Sequence, residues 1–377
     1  HLVHSRGKVC YRLSGGVWER SQKTAAGSDQ GPAVFSPILS GQDPFCQPYP
    51  PSSGLLSCRW VRFHPRRSST PETHICVRTH HDLVSDVISN QGRWAECDEL
   101  STLFSSFARR SDELIVDIGA NIGACTLSLL LETEARLIAF EPGPDNLFYL
   151  TSSLLALREM LPGVAQRARL YPLAMGDARR VEVLHAARGN AGHSVIGPPI
   201  KNARFAGGGW EAAQKIHVGT LDEVLWPRAH RLRNETWSPP SVAMLKLDVE
   251  GYECNALRGM RALFCARAVR SIAVEIFDNA LRQQGCSGIS LQQMLVDAGF
   301  VLYLKPPQPV RSWRRSSPHP QPFDARVLHR TNPYNVYAVL SELVVTPELN
   351  STDSRQPRQH PSELASRHPR ARRCRDL

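Results

Sequence analysis

Long apolar runs are missing from this 377-residue chain. None approaches the roughly eighteen residues that a membrane-spanning helix needs, so the sequence carries no span. Ten cysteines include no CxxC pair, which argues against a structural zinc site. A basic core is missing too. The whole chain has 45 Lys and Arg against 35 Asp and Glu, yet residues 111–305 hold 20 of each sign. The excess lies in the flanks, much of it in the Arg-rich stretch 355–375, which reads as a solvated tail. Specific nucleic-acid recognition would need a basic face on the folded part, and is set aside. The first residue is His1 rather than Met, so a leader or anchor upstream stays open.

What is present points to a globular protein, with 42% hydrophobic residues. Cys10, Cys46, Cys58, Cys76 and Cys97 crowd the N-terminal third, where a disulfide framework could form. Sequons stand at Asn234-Glu235-Thr236 and Asn350-Ser351-Thr352. These signals tilt the compartment towards the secretory pathway, with the cytoplasm as the alternative. Residues 1–72 are rich in Gly, Pro and Ser and are expected to be irregular; 73–110 show helical spacing and suit a lead-in or cap. Residues 346–377 form an expected disordered tail. Both flanks, 1–72 and the residues past 345, are expected to be dispensable for cofactor binding.

Between 111 and 345 strands alternate with helices. Strands are expected at 113–118, 136–140, 169–175, 181–186, 216–219, 242–247 and 272–276, and helices at 122–131, from Pro144, at 254–266 and at 290–298. Such alternation predicts a doubly wound α/β fold with a mainly parallel sheet. Two last strands, 300–304 and 336–340, lack a helix between them and suit an antiparallel edge pair. The Pro- and Arg-rich stretch 311–330 is either a surface insertion or a loop over a substrate mouth.

Chemistry gathers at the strand ends. The first strand closes in Asp117, followed by Gly119, Ala120, Asn121, Ile122 and Gly123 leading into a helix. Such a turn admits a ligand close to the backbone. A GxGxxG fingerprint would need Gly at 121 and 124, where Asn121 and Ala124 stand, and no Walker motif occurs, so no pyrophosphate cradle is indicated. Asp117 suits a cationic ligand instead. The second strand ends in Glu141, placed to accept both hydroxyl protons of a ribose. The third ends in Gly176-Asp177, where Asp177 either accepts from an adenine amino group or only makes a turn. The fourth carries Lys246, Asp248 and Glu250, two residues apart and so expected on one face. That cluster is either the catalytic centre or a structural ion-pair group. The Pro-Pro-aromatic element of enzymes acting on nucleic-acid amines does not follow this strand.

The order VDIGANIG at 116–123, FEP at 140–142, MGD at 175–177, TLDE at 220–223, KLDVEGYE at 246–253 and VEIF at 274–277 resembles the FkbM-type methyltransferase family. The resemblance spans about 112–305. It implies a class I methyltransferase-like (Rossmann-like) sheet of seven strands with an antiparallel edge strand. It also implies S-adenosylmethionine as cofactor and a hydroxyl acceptor on a small molecule or glycan. By it, Asp117, Gly119, Asn121 and Gly123 belong to the methionine side, Glu141 to the ribose, Asp177 to the adenine, and Ser194 to a Ser-containing turn near the cofactor. Asp248 is the first choice for the base or for orienting the acceptor. Glu250 could share that role, or the two carboxylates could hold a divalent cation. Lys246 would steady the charge. The alternatives are an N-methyl or protein-directed transferase of the same fold, and a non-catalytic binding protein. The sequence does not set the oligomeric state.

Overall fold

The computed structural model describes residues 48–52, 56–66, 72–199, 209–211, 213–227, 238–307, 322–323 and 333–344, with the backbone of 11–14 and 17–20. The basic tail, both sequons, Cys10, Cys46 and nearly all of 311–330 lie outside the described residues.

At the centre runs β5 (Leu114–Ile118), a strand with every residue buried. A run without alternation needs cover on both faces, as parallel sheets with crossovers provide. Helix α3 (Ala124–Glu132) follows it, then β6 (Arg136–Phe140), α4 (Pro144–Met160), the short α5 (Pro162–Ala165) and β7 (Ala168–Tyr171). Later in the chain come α6 (Leu221–Leu225), β12 (Val242–Leu247), α7 (Glu253–Arg258), α8 (Arg261–Cys265), β13 (Ser271–Ile276), α9 (Asp278–Gln283), α10 (Gly288–Asp297), β14 (Phe300–Tyr303) and β15 (Tyr334–Leu340). These strands form one sheet in the order β14-β15-β13-β12-β5-β6-β7. All pairings are parallel except those of β15, which runs against both β13 and β14. The reversed strand therefore sits one place in from the edge. Leu127, Leu129, Leu150 and Leu154 pack on one face, and Leu257, Leu263, Leu291 and Leu295 on the other. The doubly wound class I fold is thus present.

Three local departures have physical causes. The strand expected at 169–175 divides at Pro172, which has no N–H to give the ladder. Leu173 N closes a tight turn on Tyr171 O, and the chain leaves the main sheet. It continues as β8 (Ala174–Met175) in a second sheet of order β10-β9-β11-β8, built with β9 (Arg180–Ala187), β10 (Asn190–Ile196) and β11 (Gln214–Gly219). The helix expected at 254–266 breaks at Gly259, which packs against the carbonyl of Gly176. After the break, Asp222 of the TLDE stretch caps α8, accepting from Ala262 N at 2.7 Å and Leu263 N at 3.0 Å.

The third departure is at the N-terminus, where 1–72 is not irregular throughout. Backbone hairpin β1 (Tyr11–Ser14) and β2 (Val17–Arg20) is present, and β3 (Arg59–Phe63) pairs with β4 (Thr73–Val77). The lead-in to α1 (Leu83–Gln91) and α2 (Cys97–Phe107) is therefore partly strand. Phe63 is buried, Cys58 is bonded to Cys76, and Cys76 N donates to Ser153 Oγ of α4 at 2.9 Å. A boundary at 72 would cut this hairpin.

Candidate active site

The loop after β5 is shaped by its neighbours. Gly119 N and Ala120 N both donate to Phe140 O at 3.0 Å, which ties the loop to the end of β6. Gly119 has φ 81°, and a Cβ there would fall 1.8 Å from the carbonyl oxygen of Asp248. Only glycine lets the ends of β5 and β12 approach this closely. Asn121 takes the left-handed region at φ 52°, where its N–H donates to Glu141 Oε2 at 2.8 Å. Gly123 starts α3, also with positive φ.

Asp117 lies beneath this loop, fully buried. Its Oδ2 accepts from Thr126 Oγ1 at 2.6 Å, and its Oδ1 lies 3.7 Å from Lys246 Nζ. Lys246 Nζ also donates to Gly119 O at 3.0 Å and to Asp248 Oδ2 at 3.1 Å. One ammonium thus binds both strand ends to the loop between them. Burial would lower its pKa, but Asp248 and Asp117 outweigh it and hold the pKa raised.

Glu141 is almost wholly buried. Its Oε1 accepts from Gly143 N at 2.8 Å and Asn146 Nδ2 at 3.2 Å, and its Oε2 from Asn121 N. Burial pushes its pKa up against these three donors. Oε1 is filled, so one acceptor position remains on Oε2, enough for one ribose hydroxyl rather than both. Asn146 is oriented by the buried Arg78, whose guanidinium donates to Asn146 Oδ1 and lies 4.8 Å from the Tyr149 ring centre. Sequence reasoning missed Arg78 and Asn146. The signal available was Asn146 in the first turn after Pro144, facing the strand end that carries Glu141.

The three charged residues expected on one face of β12 do not share it. The strand ends at Leu247, so the two-residue period reaches Asp248 and stops. Glu250 sits in the following turn at φ 53°, and Gly251 at φ 101° packs on Ala280. The turn still brings Glu250 to the site, where its Oε1 lies 2.7 Å from His193 Nδ1. Burial and the charge of Asp248 push Glu250 well up, and Glu275 of β13 rises for the same reasons. Oxygen atoms of Asp248, Glu250 and Glu275 lie within 4.8 Å of one another and could hold a cation.

Together these groups border one cleft. Gly119, Asn121, Glu141, Asn146, Ser194, Asp248 and Glu250 line it, with Leu173, Ala174 and Met175 as an apolar wall. Ser194 Oγ donates to Ala191 O at 2.8 Å. Asp117, Gly123 and Lys246 stand behind the lining. Asp177 is not brought in. Its carboxylate pairs with Arg180 at 2.7 Å, and this partner holds its pKa down although partial burial would raise it. A turn residue with its own ion pair is the reading that fits.

Glu253, at the start of α7, accepts from Val249 N at 3.0 Å and Gly251 N at 3.1 Å and so holds the turn. It is buried, and burial pushes it up to about 7, above its ordinary 4.5. Below pH 4.5 both folded and unfolded chains are protonated, and its contribution is fully present. As pH rises through about 7 that contribution is lost, roughly 3 kcal/mol. Glu253→Gln keeps the acceptor oxygen and cannot ionise. Urea unfolding at about pH 5 and about pH 8 should show a smaller loss of stability in the variant than in the wild type. An equal loss in both proteins would remove Glu253 as a source.

Residues 117–302 match the family model described as the methyltransferase FkbM domain. The methyltransferase sdnD of Sordaria araneosa is 27% identical over 208 residues, covering 50% of this chain and 74% of that protein. The hexuronic acid methyltransferase AglP of Haloferax volcanii is 28% identical over 165 residues, covering 44% of this chain and 56% of that protein. The chain therefore spans little more than half the length of the second relative. A solved methyltransferase FkbM from Methylobacillus flagellatus aligns with TM-score 0.36 and 16% identity, covering 62% of this chain and 47% of that one.

Proposed function

Residues 117–302 form a methyltransferase domain of the FkbM type, and from that premise we propose that the chain methylates a hydroxyl on a small molecule or glycan, using S-adenosylmethionine. The observation that carries this reading is the pairing of Glu141 with Asp248 and Glu250 across one cleft at three adjoining strand ends. The donor set fits the cofactor. Glu141 Oε2 keeps an acceptor position for a ribose hydroxyl, Leu173 to Met175 offer an apolar wall for a base, and the acidic residues suit a cationic sulfonium. When bound, the cofactor supplies a methyl group open to in-line displacement. Gly119, Asn121 and Gly123 would admit its methionine end, and Ser194 would border it. Asp117, through Thr126 and Lys246, keeps that loop in place. A sugar acceptor is supported by the hexuronic acid methyltransferase among the relatives.

In this reading Asp248 orients the acceptor hydroxyl by accepting its hydrogen bond. Lys246, 3.1 Å away, pairs with that carboxylate and would steady charge on the acceptor oxygen. The test uses the full chain, labelled cofactor, and p-nitrophenyl hexosides, hexuronides and hexosaminides. Label should enter an ether on a hexoside or hexuronide. Asp248→Asn should cut turnover about 10²-fold with cofactor affinity retained. Label entering only amines would replace this reading with N-methylation. Near-normal turnover in Asp248→Asn would make that carboxylate structural. A second reading rests on the close Asp248, Glu250 and Glu275 oxygens: a divalent cation there would polarise the hydroxyl, and a chelator would then abolish turnover.

A further inference from the structure

The amide of Asn146 has the same shape whichever way it is turned, and the direction matters to Glu141. Its Nδ2 donates to Glu141 Oε1 at 3.2 Å, while its Oδ1 accepts from Arg78. A guanidinium has donors and no acceptor, so it admits only the oxygen of the amide on its side. Flipping Asn146 would set N–H against N–H at Arg78 and oxygen against oxygen at Glu141. Arg78 therefore decides which end of the amide meets the carboxylate.

Arg78 is held in turn by charge. It follows β4, is only 4% exposed, and its Nε lies 3.7 Å from Asp82 Oδ1. Removing one partner of a buried pair strands the other charge, so the two are kept together. Asp82 is committed on two further sides. Its Oδ2 caps α1, accepting from Ser85 N at 3.0 Å and Ser85 Oγ at 2.7 Å. Its Oδ1 accepts from Ala191 N of β10 at 3.0 Å. Between Asn190 and Ser194 that strand shifts register against β9, and Gly192 and Ser194 from this bulge line the cleft. Gly192 is tightly seated: a Cβ there would lie 3.2 Å from Val84 Cγ2 of α1 and 3.4 Å from Asn121 Nδ2. One buried ion pair thus reaches two borders of the cleft, the strand end with Glu141 and the bulge of the second sheet.

We propose that Arg78 and Asp82 are positioning residues for the cofactor ribose, which makes the lead-in that carries them a working part of the site. This deepens the reading of S-adenosylmethionine as cofactor and rests on it. Arg78 acts through Asn146, holding the Glu141 carboxylate with Oε1 engaged and Oε2 left for a ribose hydroxyl. Asp82 fixes Arg78 and, through Ala191, seats the bulge that borders the same cleft. Neither residue lines the cleft, and both precede the matched segment 117–302. Apolar side chains of similar volume would brace the fold as well as this pair does. They would leave the amide of Asn146 free to flip.

The test uses full chains and calorimetry with S-adenosylhomocysteine and its 2′-deoxy and 3′-deoxy analogues. The wild type should bind one deoxy analogue about 10–100-fold more weakly than the parent, the loss of one charge-assisted bond. Arg78→Met keeps length and removes the donors. Asp82→Ser keeps a cap on α1 and removes the carboxylate. In each variant that ratio should fall to about threefold or less, whatever the absolute affinities. A merely structural role would weaken parent and analogue alike, and a ratio kept at its wild-type value would overturn the proposal. A second arm needs only the wild type and so survives a variant that fails to fold. The parent ligand should slow hydrogen exchange at the Ser85 amide, which is bonded to Asp82, more than the weaker deoxy analogue does at saturation. Equal exchange with both ligands would overturn it. A wild type without affinity for S-adenosylhomocysteine would sink the cofactor reading and the proposal together. A wild type that discriminates, with variants that discriminate equally, sinks the proposal alone.

Discussion

Glu141→Ala should weaken binding of S-adenosylhomocysteine by roughly 2–4 kcal/mol, a factor of about 30–1,000. The loss has two parts. The ribose hydroxyl loses a charge-assisted acceptor, and the Asn121 amide loses the oxygen that holds the loop in its left-handed turn. Gly143 N and Asn146 Nδ2 are left without their acceptor as well. Glu141→Gln sharpens the test. An amide has one acceptor oxygen, whereas this site presents donors to both oxygens. One orientation sets N–H against Asn121 N, and the other sets it against Gly143 and Asn146. The glutamine variant should therefore bind almost as poorly as the alanine one. Calorimetry on full chains with matching thermal melts separates the outcomes. Wild-type affinity in Glu141→Gln would mean that the carboxylate is a loop brace without a ligand.

Most of the chemistry at the strand ends was legible in the sequence for one reason. In a parallel sheet, consecutive strands deliver their carboxyl ends to the same edge, so residues far apart in number meet. Glu141 and the Gly119 to Gly123 loop needed nothing more than that. Glu250 needed more. Counting by two placed it on the face of Lys246 and Asp248, but the strand stops at Leu247 and a left-handed turn delivers Glu250 instead. The residue reached the cleft for a reason the period could not supply. Asp177 illustrates the reverse. Its position after β8 suited a ligand, but its carboxylate pairs with Arg180, three residues on.

Cross-chain pairings were out of reach. Arg78 lies 68 residues from Asn146, and His193 lies 57 from Glu250. No local pattern announces such contacts, because they arise from how the lead-in and the second sheet pack over the cleft. The second sheet itself was half visible. The 181–186 and 216–219 strands alternate well enough, but β10 carries Gly192, polar residues and a bulge that blur its period. The β3–β4 hairpin was hidden by charge. Arg59 and Arg62 on β3 and the prolines nearby read as loop, while Phe63 and the bond from Cys58 to Cys76 tie it to the core.

Cysteine pairings were the least legible feature, and they carry the largest expected effect on stability. Cys254 is bonded to Cys286 across 32 residues, and Cys97 to Cys125 across 28. Closing loops of this length removes unfolded-state entropy worth roughly 4 kcal/mol for each bond. The placement matters as much as the magnitude. Cys125 is two residues past Gly123, and Cys254 follows Glu253, so each bond pins a helix that opens from a cleft loop. The serine double variant Cys254→Ser/Cys286→Ser should lower stability to urea by about 4 kcal/mol and raise m, because the uncrosslinked unfolded chain is less compact. Its affinity for S-adenosylhomocysteine should fall too, since the bond helps hold Gly251 against Ala280. A shift below about 1 kcal/mol would mean that packing alone holds α7 to the loop before α10. We further propose, from the same bonds, that the chain folds in an oxidising compartment of the secretory pathway, because such bonds are rare where glutathione keeps thiols reduced. Alkylation of cysteines in rapidly denatured cells, read by mass spectrometry, tests this directly. Cys97, Cys125, Cys254 and Cys286 should resist the reagent until reduced, and immediate labelling of all four would place the protein in a reducing compartment.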